Sequence, residues 1–440
     1  MFRALGYRNY RLFYSGQIIS LVGTWMQSVA QSWLVYRLTH SSLLLGLVGF
    51  AGQIPVFLMA SLGGMVADRR SRYRIIIATQ TSAMMLAFVL SGLTLLGHIR
   101  VWEIMVLASL LGVVNAFDIP ARQAFVVEMV NQQDLINAIA LNSSMVNGAR
   151  ILGPAVAGIT VAAVGEGWCF FANGVSYIAV IAGLLLMTVV PRPSPREGQA
   201  SGLESVVEGF RWVARAGPVR ALLLLLGLVS LTGMPYVVLM PIFADRILHS
   251  GARGLGLLMG ASGVGALTGT MVLAARHGVR GLGRWVMFAT IGFGTFLILF
   301  SMSPWFWLSV LLIMPAGFSM IMQMASTNTL IQTMVPDELR GRVMALYSMM
   351  FMGMAPFGAL LSGFIAHHIG APLTVRLGGV ICLAGGLVFA MTWPAMRGEA
   401  RQLILAQSMA GGEPAEEMTG QGVSLEVGSS AGSALDGERE

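Results

Sequence analysis

The sequence predicts an all-α membrane protein of twelve transmembrane helices in two six-helix pseudo-repeat halves. Three observations carry this. Of the 440 residues, 56% are hydrophobic and only 11% charged, against about a quarter charged in a soluble domain. The apolar residues fall in twelve runs, each about the 20 residues a helix needs to cross a hydrocarbon core about 30 Å thick. The two halves of the chain also match one another at a constant offset of 205 positions.

The runs lie at 12–36, 43–66, 75–97, 102–124, 137–163, 169–190, 219–243, 254–275, 284–302, 305–330, 343–367 and 373–393. The first follows Arg3, Arg8 and Arg11 as a signal peptide would, but it reaches Tyr36 without a small-residue cleavage site, so a retained helix is expected. Between the second and third stands Asp68-Arg69-Arg70-Ser71-Arg72-Tyr73-Arg74, a burst of charge that lipid cannot hold. Further arginines cluster on the same side: Arg192, Arg196, Arg211, Arg215 and Arg220, then Arg276, Arg280 and Arg284, then Arg340 and Arg342. The opposite loops carry isolated ones such as Arg37, Arg100, Arg253 and Arg376. Because cationic loops stay inside, both termini are expected in the cytoplasm and the chain in the cytoplasmic (inner) membrane. The expected organisation is a first half at 1–190, a linker at 191–218, a second half at 219–397 and a disordered tail at 398–440. The linker opens Pro-Arg-Pro-Ser-Pro-Arg and continues as an amphipathic helix with Val206, Val207, Phe210 and Val213 on one side.

The repeat is most visible across nearly sixty residues. Trp102 matches Trp307, Gly112 matches Gly317, Met129-Val130 matches Met334-Val335, and Gly148, Gly153 and Gly158 match Gly353, Gly358 and Gly363. Two parallel halves around a midplane site is a transporter architecture. The net charge of +7 comes from arginines alone, since the chain has no lysine, and these sit mostly in short loops. It therefore marks topology and attraction to lipid headgroups rather than nucleic-acid binding. The expected partners are the lipid bilayer and a small-molecule substrate, with the chain a monomer. Cys169 and Cys382 are far apart in apolar runs, which argues against a disulfide or metal framework.

Polar residues inside the runs are the candidates for chemistry. Gln17, Ser20, Thr24, Gln27 and Gln31 share one face of the first helix. Lipid offers such amides no partner, so they must meet other helices or a cavity. Arg150 follows Asn142 and Asn147 and lies about 20 Å into the fifth helix at 1.5 Å per residue. An arginine at that depth is costly and marks function. No acid lies at matching depth, so it is expected to face a central cavity, ready for an anionic group. The alternatives are a guanidinium tied to backbone carbonyls, and a part in proton coupling. The candidate cavity residues are Gln27, Gln31, Asn115, Asn147, Arg150 and Gln323.

The fourth helix ends Asn115-Ala-Phe-Asp118-Ile-Pro120-Ala-Arg122, with Glu128 beyond. Asp118 and Arg122 can pair at i, i+4. Asp118 is also expected beside Arg72 at the inner mouth, or as a proton carrier. Gly153, Pro154 and Gly158 form a small-residue helix-packing motif. The tenth and eleventh helices are methionine-rich, with Ser319, Gln323 and Thr327 on one face of the tenth; methionine adapts its shape to varied ligands but also fills cores. The chain has no phosphate-binding Gly-x-x-x-x-Gly-Lys loop, no His-Glu-x-x-His and no Gly-x-Ser-x-Gly, which argues against an ATPase or hydrolase. No bound cofactor is expected; a proton gradient or the membrane potential is the energy source.

Gly64-x-x-x-Asp68-Arg69-x-x-Arg72 resembles the loop 2–3 signature of the major facilitator superfamily of secondary transporters, and the resemblance covers residues 1 to about 397. It implies that fold, with Gly64, Asp68, Arg69, Arg72, Asp118 and Arg122 at a cytoplasmic gate where Asp68 and Arg69 touch the start of the eleventh helix, Arg342 to Ala345. Gly23-Thr24-Trp25-Met26-Gln27 through Thr39, with Asp118-Ile119-Pro120-Ala121-Arg122-Gln123-Ala124-Phe125, is similar to the enterobactin-exporter and macrolide-efflux branch. That branch implies siderophore or drug efflux by antiport. Ala108 stands where many exporters have the arginine linked to proton coupling, which departs from the usual antiport route. Import, lysophospholipid flipping and a transport-dead scaffold or sensor are the competing readings, because direction is set by coupling and not by fold.

Overall fold

In the computed structural model the described residues are 3–188, 203–276 and 278–410. The first half comprises α1 (Arg8–Thr39), α2 (Ser42–Arg69), α3 (Arg72–Leu95), α4 (Val101–Met129), α5 (Leu135–Val164) and α6 (Glu166–Leu185). A short α7 (Leu203–Arg215) leads to α8 (Gly217–Ile247), α9 (Gly251–Ala274), α10 (Leu282–Met302), α11 (Phe306–Met334), α12 (Asp337–Ile369) and α13 (Ala371–Ala410). All the long helices except α1 are long and apolar enough to cross a membrane. The 32-residue α1 has the length, but its polar stripe dilutes its hydropathy. The helices extend past the apolar runs because polar end turns leave the lipid with their backbone bonds intact. α4 and α11 both have 29 residues and begin and end 205 positions apart, and α5 and α12 end at 164 and 369, the same offset.

One expectation is corrected at the C-terminus. α13 continues to Ala410, so 398–410 is helical. Glu399 Oε1 accepts from Gly217 N at 3.0 Å, satisfying one of the free N–H groups that open α8. The remaining tail, the Pro-Arg-Pro-Ser-Pro-Arg stretch and the Val206 side chain lie outside the described residues. Within α7, Val213 is buried but Val207 and Phe210 are exposed.

Two helix pairs join the halves, and glycine sets their spacing. A Cβ on Gly158 of α5 would stand 3.0 Å from Gly256 Cα and from Ala252 O of α9. One on Gly363 of α12 would stand 2.7 Å from Ser42 O and 2.8 Å from Gly46 Cα of α2. Proline contributes as well. Pro154 has no N–H for the Arg150 carbonyl, and a Cβ on Gly263 of α9 would sit 3.2 Å from that oxygen. Similarly, Pro120 frees the Ala116 carbonyl, onto which Gly63 of α2 packs. Phe357 adds edge contacts to Phe50 and Phe57.

The Gly158 and Gly363 junctions lie in the halves of the helices remote from the arginine-rich loops. Towards those loops α5 exposes Ser143, Ser144 and Val146, and α12 exposes Ser348, Met349 and Met352. A Cβ on Gly64 of α2 would meet nothing within 4 Å. The halves are closed at the arginine-poor end and diverge towards the other.

Candidate substrate cavity and gate

The candidate site lies where α1, α5, α8 and α9 meet. Arg150 is near the middle of the 30-residue α5. Its guanidinium carbon stands 5.7 Å from the ring centroid of Trp25 of α1, within cation–π range. Tyr236 of α8 is near enough to interact with the charge, and its hydroxyl bonds Ser262 of α9 at 2.7 Å. Among the described residues Arg150 has no carboxylate partner. Asn147, one turn towards the opening, donates to Ser143 O at 2.9 Å on the exposed α5 face. Gln31 and Asn115 are half-buried.

Two expected cavity residues point elsewhere. Gln27 is buried and its Oε1 accepts from Asn173 Nδ2 of α6 at 2.7 Å. Gln323 is only 1% exposed, inside the second half, and its Nε2 has no partner. The α1 stripe thus serves mainly to join helices of the first half. Thr24 lies 3.5 Å from the Tyr177 hydroxyl, and Gln17 Oε1 accepts from Arg122 at 3.2 Å. Of the methionines on α11 and α12, Met320 and Met322 are core, while Met349 and Met352 are exposed.

At the arginine-rich end two ion clusters stand where one was expected. Asp118, buried, receives Thr79 Oγ1 at 2.8 Å and Gln80 Nε2 at 2.9 Å, and its other oxygen lies 3.3 Å from Arg122. Arg72 instead pairs with Glu128 at 2.7 Å and lies 3.8 Å from Asp68. Its guanidinium also reaches the Ala67 and Ala124 carbonyls at 3.4 and 3.5 Å. One cation so serves the last turns of α2 and α4, where the helix dipoles favour it. The expected Arg72–Asp118 pair gives way because Glu128 lies on the last turn of α4, level with the start of α3, while Asp118 is two to three turns deeper.

Asp68 keeps a carboxylate 76% exposed, and Arg69 is exposed. At the start of α12, Arg340 pairs with Asp337, and Arg342 with Glu208 of α7. The arginines at the start of α12 thus pair within α12 and with α7. Gly153 packs on α1, with a Cβ 3.0 Å from Val22 O, whereas Pro154 and Gly158 face α9. The sequence reading missed Trp25, Tyr236 and Ser262. Nothing in an isolated sequence distinguishes these from core aromatics and hydroxyls; only the meeting of four helices does. Asn173 had a signal, a lone amide in an apolar run.

The comparisons with known proteins agree with this fold. The family model described as transmembrane secretion effector matches residues 2–422. The staphyloferrin A transporter of Staphylococcus aureus is 25% identical over 385 residues, spanning 86% of this chain and 95% of that one. The enterobactin exporter EntS of Shigella boydii is 26% identical over 360 residues, spanning 80% and 84%. Among solved structures, the nucleoside transporter NupG superposes with a TM-score of 0.69 at 14% identity, covering 88% of this chain and 98% of that one. A POT family transporter in complex with 5-aminolevulinic acid gives 0.70 at 10% identity, covering 88% and 96%; at these identities the structures speak for the fold alone. With a family model spanning nearly its whole length, the chain belongs to the transmembrane secretion effector family of major facilitator transporters, and it is a secondary transporter rather than an enzyme.

Proposed function

We propose that this transporter exports amphipathic, anionic small molecules across the cytoplasmic membrane by alternating access, as a monomer with both termini inside. The observation that carries the reading is Arg150, a mid-membrane guanidinium at the junction of the halves with an aromatic face beside it and no carboxylate partner among the described residues. A charge held at mid-membrane without a counter-ion is expensive, and an anionic substrate supplies the counter-ion. Trp25 offers an apolar face for the rest of such a molecule, and Met349 and Met352 offer adaptable ones nearer the opening. The arginine-rich end, by the positive-inside rule, is cytoplasmic, so the described state would load from the cytoplasm. Two relatives are siderophore transporters, and one of them is named an exporter. No cofactor is required: a proton gradient or the membrane potential supplies the energy.

Inverted membrane vesicles containing the wild-type protein should accumulate an anionic siderophore when energised, and vesicles carrying Arg150→Ala should not. Accumulation in right-side-out vesicles instead would make the protein an importer. Equal transport by both proteins would remove Arg150 from the site.

A further inference from the structure

The cleft between the end of α2 and the start of α3 is separate from the cavity and has a different chemistry. It encloses about 570 Å³. Its polar rim is Arg69, Arg70, Ser71 and Arg74, and Met65 and Ala78 form the wall below. Among the described residues no carboxylate pairs with Arg69, Arg70 or Arg74. Asp68, next in sequence, lies outside the lining and is near Arg72. Ser71 is the N-cap of the 24-residue α3, yet its side chain makes no capping hydrogen bond. Ser71 thus leaves the first-turn N–H groups of α3 uncapped by its side chain, and such a terminus attracts an anion. Three guanidiniums with no carboxylate partner among the described residues, at the same place, provide a second and independent reason for one.

The walls below the rim show which anion fits. On α2, Leu58, Leu62 and Met65 lie in line with Arg69, on a different face from Phe57 and Gly63, which pack on α12 and α4. On α3, Ala78, Met85 and Val89 lie in line with Arg74. All six are exposed. Two apolar stripes thus run from the basic rim along the outside of the bundle, a trough for an acyl chain beneath a site for phosphate. Free phosphate would satisfy the rim alone, whereas a phospholipid satisfies both.

We infer that the α2–α3 cleft binds one anionic phospholipid, its phosphate on Arg69, Arg70, Arg74 and the start of α3, and an acyl chain between the two stripes. The site is independent of the transport substrate. Bidentate guanidinium–phosphate bonds give it preference for phosphate-bearing anions, and basic pockets between membrane helices are suited to such headgroups.

The test uses the delipidated full chain in detergent, titrated with phosphatidylglycerol, phosphatidylcholine or inorganic phosphate, with bound lipid counted by native mass spectrometry. The first phosphatidylglycerol should bind at least tenfold more tightly than phosphatidylcholine. Arg70→Gln/Arg74→Gln should abolish that preference, while Arg211→Gln/Arg215→Gln, which removes equal charge from α7, should retain it. Ala78→Trp fills the trough without touching the charges. It should weaken phosphatidylglycerol at least fivefold, and its lipid-free melting temperature reports whether the fold survives. Three results would each overturn the inference: no preference in the wild type, a preference unchanged in the cleft variants, or displacement of phosphatidylglycerol by equimolar inorganic phosphate. The last would leave an aqueous anion site.

Discussion

Arg150 was legible in the sequence because charge within an apolar run has few explanations. Its surroundings were not, since Trp25, Tyr236 and Ser262 come from three other helices. If the guanidinium binds an anionic group, its removal should discriminate among substrates. A hydrogen bond to a charged group contributes about 1.5–3 kcal/mol, or roughly a ten- to hundredfold change in affinity. Arg150→Ala should therefore weaken anionic substrates by about that factor while neutral analogues change less than threefold, as read from equilibrium binding to purified protein. Equal losses for both classes would reduce Arg150 to a packing residue. Gly64 makes a second residue-level case. With open space around its Cβ position, Gly64→Leu should leave this state intact and gain up to about 0.8 kcal/mol of helix propensity. The added side chain would nevertheless obstruct closure of the arginine-rich end. Transport should fall while the melting temperature holds or rises, and a cysteine placed at Ser348 should label faster than in the wild-type background.

At the scale of elements, each apolar run falls on one long helix, eleven of them apolar enough to cross a membrane, because a helix in lipid must satisfy its own backbone. Length could not reveal how the helices meet. The Gln17 to Gln31 stripe looked like one surface, yet Gln27 bonds Asn173, Gln17 meets Arg122 and Gln31 is left half-buried. A face read from periodicity says which residues are level with one another, not which helix covers them. Nor did composition reveal the three π-helical segments, Val229–Gly233 and Phe243–Ile247 in α8 and Met349–Gly353 in α12. Ser230 of the first donates to the Phe351 carbonyl of the third at 2.5 Å, in a place where the widened turn leaves carbonyls in need of donors. The crossing of α5 and α9 gives the element-level prediction. Gly158→Leu should force those helices apart, since Gly256 Cα and Ala252 O leave no room for a side chain. The arginine-poor end should then open, so that a cysteine at Ser42 becomes labelled from that side and the cysteine at Ser348 becomes protected. Gly158→Leu and Gly64→Leu should thus shift the labelling in opposite directions; shifts in the same direction would contradict a rocking exchange between two closed ends.

For the molecule as a whole, the repeat makes a comparison that neither half offers alone. At the offset of 205, Asp118 corresponds to Gln323 and Arg122 to Thr327. The first half holds an ion pair with Thr79, Gln80 and Gln17 around it. The second holds neutral groups, of which Gln323 Nε2 and Thr327 Oγ1 have no partner. Charge chemistry is therefore concentrated in the first half, and its one deep carboxylate receives two donors and a guanidinium. Such an arrangement commits the carboxylate to structural contacts within the first half. With Ala108 also replacing the arginine used by many exporters, the substrate's own charge becomes the simplest coupling. The cytoplasmic side is negative, so an anion leaving the cell moves down the potential, worth about 2.3 kcal/mol per charge per 100 mV. Transport of an anionic substrate into inverted vesicles should therefore respond to an imposed voltage at least as strongly as to a pH gradient of equal free energy. Asp118→Asn should slow it by disturbing the first-half cluster but should not change that ratio. Transport driven by the pH gradient alone and abolished in Asp118→Asn would instead make Asp118 the proton carrier.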